Sequence, residues 1–270
     1  MGALGRIGTI IGYEWRRALA KKKILALVIL AIAFQTLVTV GIYEAYRFIG
    51  TTFLGSENVF VWILVVLEGL LFVQLIAIIV AGGSMSEEYE HGTADVLLSK
   101  PITRLEYILG KFLGGFSLLA MVEALITFVG VALSLVFFGA QSGLQFAPLM
   151  FLAIVYSSLI FFCLSFMFSE VFRGTTLAML LALAILFASY IISPILTFVY
   201  GISTRAIPIW AATSFPSLVM SELVTASSVL PAADLGALSQ AALIIALYTI
   251  AFVLIAVYRL LKSDVAKKTA

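Results

Sequence analysis

Residues 84–111 read SMSEEYEHGTADVLLSKPITRLEYILGK, and the rest of the chain is organised around this stretch. It is polar, in a chain that is 63% hydrophobic and only 11% charged. It carries Glu87, Glu88, Glu90, Asp95 and Glu106 against Lys100, Arg104 and Lys111, together with His91, the only histidine. Local signals cut it into short pieces. Ser84 with Glu87, and Thr103 with Glu106, fit the capping box, in which a hydroxyl and a carboxylate three residues on satisfy each other's backbone N–H. Gly92 interrupts. Thr93 fits a helix N-cap, with Asp95 near the positive end of the turn that follows. Pro101 disfavours helical backbone at Lys100. The expectation is a very short helix over 94–99 that displays Val96, Leu97 and Leu98.

Long apolar runs flank this stretch. Soluble domains are about half apolar and a quarter charged, so the composition implies an all-α integral membrane protein. A helix needs about 20 apolar residues to cross a bilayer. Six runs qualify, over about 24–43, 59–82, 112–138, 147–169, 175–201 and 238–261. The polar stretch is then the 83–111 loop between spans two and three, and 262–270 is a tail. Only Arg47 and Arg205 of the 16 lysines and arginines fall on the opposite side from the two termini and this loop. Positive charge gathers on the cytoplasmic side, so both termini and the loop are expected there, in the plasma membrane.

Residues 1–23 are amphipathic. Leu4, Ile7, Ile11, Trp15 and Leu19 share a face, and Arg6, Arg16, Arg17 and Lys21 to Lys23 supply charge. That pattern reads as an interfacial helix against lipid headgroups. The 202–237 connector holds Pro208, Trp210, Phe215, Pro216 and Met220 with few charges. It is too apolar for a free loop and too broken for a span. Irregular backbone at membrane depth survives only under protein or beside water, so short re-entrant-like extracellular helices are expected between spans five and six.

The order Glu88-x-Glu90-x-Gly92-Thr93, then Leu97-Leu98, Pro101-Ile102-Thr103-Arg104 and Gly110-Lys111, resembles the cytoplasmic loop of ABC-2 type transporter permeases. It is most similar to the subgroup of nitrous-oxide-reductase maturation and bacitracin-resistance-like permeases. The resemblance implies a permease that works as a homodimer with two copies of a separate ATP-binding subunit and exports its substrate. It implies that the 94–99 helix is a coupling helix seated on that subunit. Glu88, Glu90, Gly92, Thr93, Leu97, Leu98 and Arg104 are then the contact residues: Gly92 for the turn, the leucines in an apolar cleft, the charges around its rim.

Catalytic chemistry is absent from the sequence. One histidine and one cysteine, Cys163, build no metal site and no disulfide. Gly110-Lys111 has Leu105 and Phe112 where a phosphate loop needs glycine and Ser/Thr, so ATP and Mg²⁺ are expected on the partner subunit. The net charge of +2 implies no nucleic-acid partner. Two acids sit inside spans, Glu68 roughly 13 Å from one membrane face and Glu123 roughly 18 Å from the other, and no lysine or arginine lies in the spans beside them. Membrane carboxylates of this kind face a cavity or a partner, or are protonated. Glu68, Glu123 and Gln74 are therefore candidate pathway-lining residues, with Gln35 and Ser165 as accessory polar groups; protonated structural glutamates are the plainer alternative. Gly110 and Gly114 form a small-xxx-small pattern, expected to pack neighbouring spans. Two other functions fit the same sequence: an ion-coupled carrier using Glu68 and Glu123, and a membrane anchor for a cytoplasmic complex.

Overall fold

The computed structural model describes residues 2–20, 22–49, 72–93, 102–223 and 234–262. Nine α-helices and one 3₁₀ turn run through them, with no strand among the described residues. They are α1 (Ala3–Leu19), α2 (Lys22–Ile49), α3 (Phe72–Gly82), α4 (Ser86–Glu90), α5 (Arg104–Phe138), α6 (Ala147–Phe172), α7 (Thr175–Tyr200), α8 (Pro208–Leu223) and α9 (Leu235–Lys262). Among the described residues, five stretches are long and apolar enough to span a bilayer: α2, α5, α6 with its preceding turn, α7 and α9. The expected 59–82 span falls within the described residues only as α3. The chain is an all-α integral membrane protein.

The third span begins earlier than its hydropathy suggested. Both halves of the Thr103/Glu106 capping box form: Glu106 N donates to Thr103 Oγ1 at 3.2 Å and Thr103 N donates to Glu106 Oε2 at 2.9 Å. The helix therefore starts at Arg104 rather than near 112 and runs for 35 residues. At 1.5 Å per residue that is about 52 Å, against about 30 Å of hydrocarbon. One end of α5 thus projects well beyond the bilayer core. Gly139, at φ 74°, stops the helix at the other end.

Helix α6 is the axis of the bundle: 72% of its most apolar window is buried, against 11% for α7 and 17% for α9. It packs against α3, α5, α7, α8 and α9. Small residues let its neighbours close in, as is usual between membrane helices. Ser165 Oγ donates to the Ile78 carbonyl of α3 at 2.8 Å. A Cβ on Gly82 would lie 2.6 Å from Met179 Cγ and 2.9 Å from Ser165 Oγ, so only glycine fits there. Edge-to-face contacts of Phe112 with Phe162 and Phe166, at 5.5 Å each, join α5 to α6.

The apolar 202–237 connector contains α8, which packs on α6 and α9. Phe215 lies 5.1 Å from Tyr156, and Met220 is buried with Val73, Ala147, Met150 and Ile154. These partners sit toward the start of α6, at the far end of the bundle from the chain termini. Protein contact explains the apolar composition of this connector.

Candidate coupling site

Helix α1 is docked along the projecting end of α5. The seat is glycine: a Cβ on Gly110 would lie 2.8 Å from Ile10 Cβ, and one on Gly114 2.8 Å from Glu14 Cβ and 3.3 Å from the Ile11 backbone. These two glycines therefore hold the amphipathic helix, whereas the sequence suggested a contact between spans. Trp15 Nε1 donates to Ser117 Oγ at 2.8 Å. Arg6 forks onto Glu106, with Nε to Oε2 at 3.1 Å and Nη2 to Oε1 at 2.5 Å. Leu4 and Leu19, at the two ends of α1, remain exposed, and the residues it buries are Glu14 and Ala18.

At the centre of this contact lies a charge-balanced cluster of two acids and two bases. Lys111, 0% exposed, donates to both Glu14 and Glu88. Tyr107 donates its hydroxyl to the other oxygen of Glu88, which is 1% exposed. Arg17 reaches Glu88 Oε1 at 3.1 Å, Glu14 Oε2 at 3.0 Å, and the Gly83 and Ser84 carbonyls at 3.1 and 2.9 Å. Burial works against the Arg17 charge, but the Glu14 and Glu88 carboxylates outweigh it and hold Arg17 above its ordinary pKa. Buried charges persist only when they are paired and hydrogen-bonded. Glu88 is thus spent inside the chain and is not a rim contact, which corrects the sequence reading.

The other side of the 83–93 segment is fastened to the turn between α6 and α7. Ser169 Oγ accepts from Met85 N at 3.1 Å and Ser86 N at 2.8 Å. The expected Ser84/Glu87 capping box does not form: α4 starts at Ser86 without a side-chain cap, and Ser84 Oγ is buried with no hydrogen-bond partner. Tyr89 donates to Glu170 Oε2 at 2.8 Å, and the Arg173 guanidinium lies 4.6 Å from its ring centre. Burial, with the Glu170 carboxylate beside it, pushes the Tyr89 hydroxyl pKa up, so it stays a donor. Glu90, exposed, caps the start of α7 by accepting from Thr175 N at 2.7 Å and Thr175 Oγ1 at 2.8 Å. A carboxylate at a helix N-terminus also meets the positive end of the helix dipole.

The remaining predicted residues divide cleanly. Gly92 is exposed at φ 67°, in the left-handed region that favours glycine. Thr93 is exposed, with its hydroxyl 3.4 Å from the Glu88 carbonyl. Arg104 donates to the Leu260 and Leu261 carbonyls at 3.0 and 3.1 Å, a cation at the C-terminal end of α9. Leu97, Leu98 and Glu68 lie outside the described residues, as does the 94–99 helix. Gln74 and Glu123 are buried within the chain on α3 and α5. The sequence alone does not mark Glu14, Arg17, Tyr107, Lys111 and Ser169 as the residues that fasten the loop flank to its neighbours. Glu14 left a trace in the sequence: it is an acid lying in line with Ile7 and Ile11 on a basic helix.

The loop flanks, α1, the start of α5, the α6–α7 turn and the end of α9 therefore meet at one end of the bundle. Those are the segments that carry nearly all of the positive charge. No match was found among curated protein sequences. Residues 9–265 match the sequence model of a family described as ABC-2 family transporter protein.

Proposed function

The chain belongs to the ABC-2 transporter family and is a membrane permease component of an ABC transporter; from that premise we propose that it is the permease of an ATP-driven exporter. Two copies form the pathway between them, and a separate ATP-binding subunit, present twice, docks on the 83–111 loop from the cytoplasm of a plasma-membrane protein. ATP and Mg²⁺ sit on that subunit. Glu90, Gly92, Thr93, Leu97, Leu98 and Arg104 provide the contact.

The observation that carries this reading is how the 94–101 segment is mounted. On one side it continues from α4, which is tied to α1 through Glu88 and to the α6–α7 turn through Ser169 and Glu90. On the other it leads within three residues into α5, one unbroken helix that crosses the membrane. A displacement reaching the flanks of the segment would be passed to α1, α5 and α7 together through these contacts. Leu97 and Leu98 would anchor the partner. Burying each contributes roughly 1.5–3 kcal/mol.

A photo-crosslinking side chain at position 97 tests the assignment. It captures the ATP-binding subunit, whereas the same probe in place of Phe128, 69% exposed on α5, captures lipid. Capture of the subunit from both positions or neither would remove the assignment.

A further inference from the structure

The turn between α6 and α7 has two residues, Arg173 and Gly174, and the left-handed one is not the glycine. Helices commonly end on a left-handed residue, usually glycine, because a Cβ is unfavourable there. Here Arg173 is left-handed, at φ 55° and ψ 20°, while Gly174 is extended, at φ −130° and ψ 121°. Arg173 is the one residue other than glycine with positive φ among the described residues. Gly174 has no need to be glycine in this state. A Cβ on it would lie 3.8 Å from the Phe172 carbonyl oxygen and 3.9 Å from both Glu90 Oε1 and Leu177 Cβ, which are ordinary contacts.

A residue held in a sparsely populated backbone region persists when its surroundings fix it there. At Arg173 the fixing groups come from α4. The Arg173 guanidinium lies 4.6 Å from the centre of the Tyr89 ring, and its Nη2 lies 4.0 Å from Glu170 Oε1. Tyr89 donates to the other oxygen of Glu170 at 2.8 Å. One residue past the turn, Glu90 accepts from Thr175 N at 2.7 Å and Thr175 Oγ1 at 2.8 Å, and Ser86 Oγ lies 3.0 Å from Thr175 Oγ1. Both ends of the turn are thus tied to a helix that belongs to the loop and to neither α6 nor α7.

We propose that the α6–α7 turn is a two-position switch that α4 latches. In the latched position, the one observed, Arg173 is left-handed and Gly174 extended. In the released position Arg173 joins α6 and Gly174 becomes the left-handed residue, a conformation glycine adopts without penalty. Helix α6 then gains one residue and the link to α7 loses one. One residue is 1.5 Å of helix and about 100° of rotation. The start of α7, seated by Ala178 and Ala182 at 0% exposure, slides or turns accordingly. Tyr89 and Glu90 engage the latched position alone, so displacing α4 shifts the turn toward the released one. The switch rests on contacts within the chain and stands whether or not an ATP-binding subunit engages the loop.

The test reads the seat of α7 by thiol labelling of the full-length chain in nanodiscs. Ala178→Cys is reacted with N-ethylmaleimide, and the native Cys163, 0% exposed, sets the background. The cysteine at 178 should react slowly in the otherwise unmodified chain. With Tyr89→Leu/Glu90→Gln it should react about tenfold faster or more, because the latch is gone. Adding Gly174→Ala should restore the slow rate, since alanine fits the latched turn and resists the left-handed conformation. Should Tyr89→Leu/Glu90→Gln fail to fold, Tyr89→Phe/Glu90→Gln, which keeps the ring and removes the bond to Glu170, is read in the same way. A slow rate in the unlatched variant overturns the proposal. So does a fast rate that persists with Gly174→Ala, as simple fraying of the turn would give.

Discussion

Replacing Lys111 by methionine removes one of two positive charges from the buried cluster and keeps most of its volume. Glu14 and Glu88 are then left with Arg17 alone, so a neutral cluster acquires one net negative charge in a site where Lys111 is 0% exposed and Glu88 is 1% exposed. Breaking a buried pair by removing one partner costs about 3–5 kcal/mol, because the surviving charge stays desolvated. For a chain of this size each kcal/mol corresponds to about 2–4 °C in Tm, so Lys111→Met should melt on the order of 10 °C lower in detergent. The double variant Lys111→Met/Glu14→Gln restores one acid to one base and should recover most of the loss. Glu44→Gln provides the scale: its partner Arg47 is 3.6 Å away and both side chains are more than half exposed, and such pairs contribute about 0–1 kcal/mol. Thermal unfolding of the four proteins checks this. If Lys111→Met melts with the unmodified protein, or the double variant melts no higher than the single, the cluster does not hold α1 to the loop.

The glycine seat makes a second prediction: Gly114→Leu should push α1 off α5, at about 1–3 kcal/mol for overpacking. Tryptic cleavage after Arg16 and Arg17 should then accelerate, while Gly12→Ala, with nothing within 4 Å, should cleave at the original rate. Ser169→Ala leaves the Met85 and Ser86 amides without their acceptor and should cost about 1–3 kcal/mol. Ser158→Ala, which removes only a bond to the Val155 carbonyl of its own helix at 2.8 Å, should cost less, as read by chemical denaturation. For orientation, a cysteine at Ser203 should react with an impermeant maleimide on intact cells and one at Thr93 should not; the reverse pattern would invert the topology.

Much of the fold is written locally. The runs that became α2, α5, α6, α7 and α9 are long and apolar, and hydropathy is a property of the segment itself. The Thr103/Glu106 box formed because both partners lie within one turn. The Ser84/Glu87 box, equally good as a pattern, did not form: the helix starts two residues later, at Ser86, where Ser169 of α6 accepts from the Met85 and Ser86 amides. Lys111 marked the edge of a loop by its charge alone. It is buried within a helix that the Thr103/Glu106 box starts, where Glu14 and Glu88 from two other helices neutralise it. The glycines of Gly110-x-x-x-Gly114 announced a close approach but not which helix would approach. Glu88 looked like a surface contact for the same reason: its partners Arg17 and Lys111 come from two other helices. Local rules resolved caps, turns and spans, while the pairing of buried charges waited for the tertiary fold.

The most direct test of the central claim is the ATP hydrolysis rate of the partner subunit reconstituted with this permease in nanodiscs, measured across permease concentration for the unmodified chain, Leu97→Ser/Leu98→Ser and Glu90→Gln. Losing two leucines that the subunit would cover, at roughly 1.5–3 kcal/mol each, with 1.4 kcal/mol per factor of ten, predicts that the double variant needs about a hundredfold more permease, or beyond, for the same stimulation. Glu90→Gln, on a solvated edge, should stay within about tenfold. Full stimulation by the double leucine variant at unmodified concentrations would contradict the account, because the 94–99 segment would then not be where the ATP-binding subunit engages.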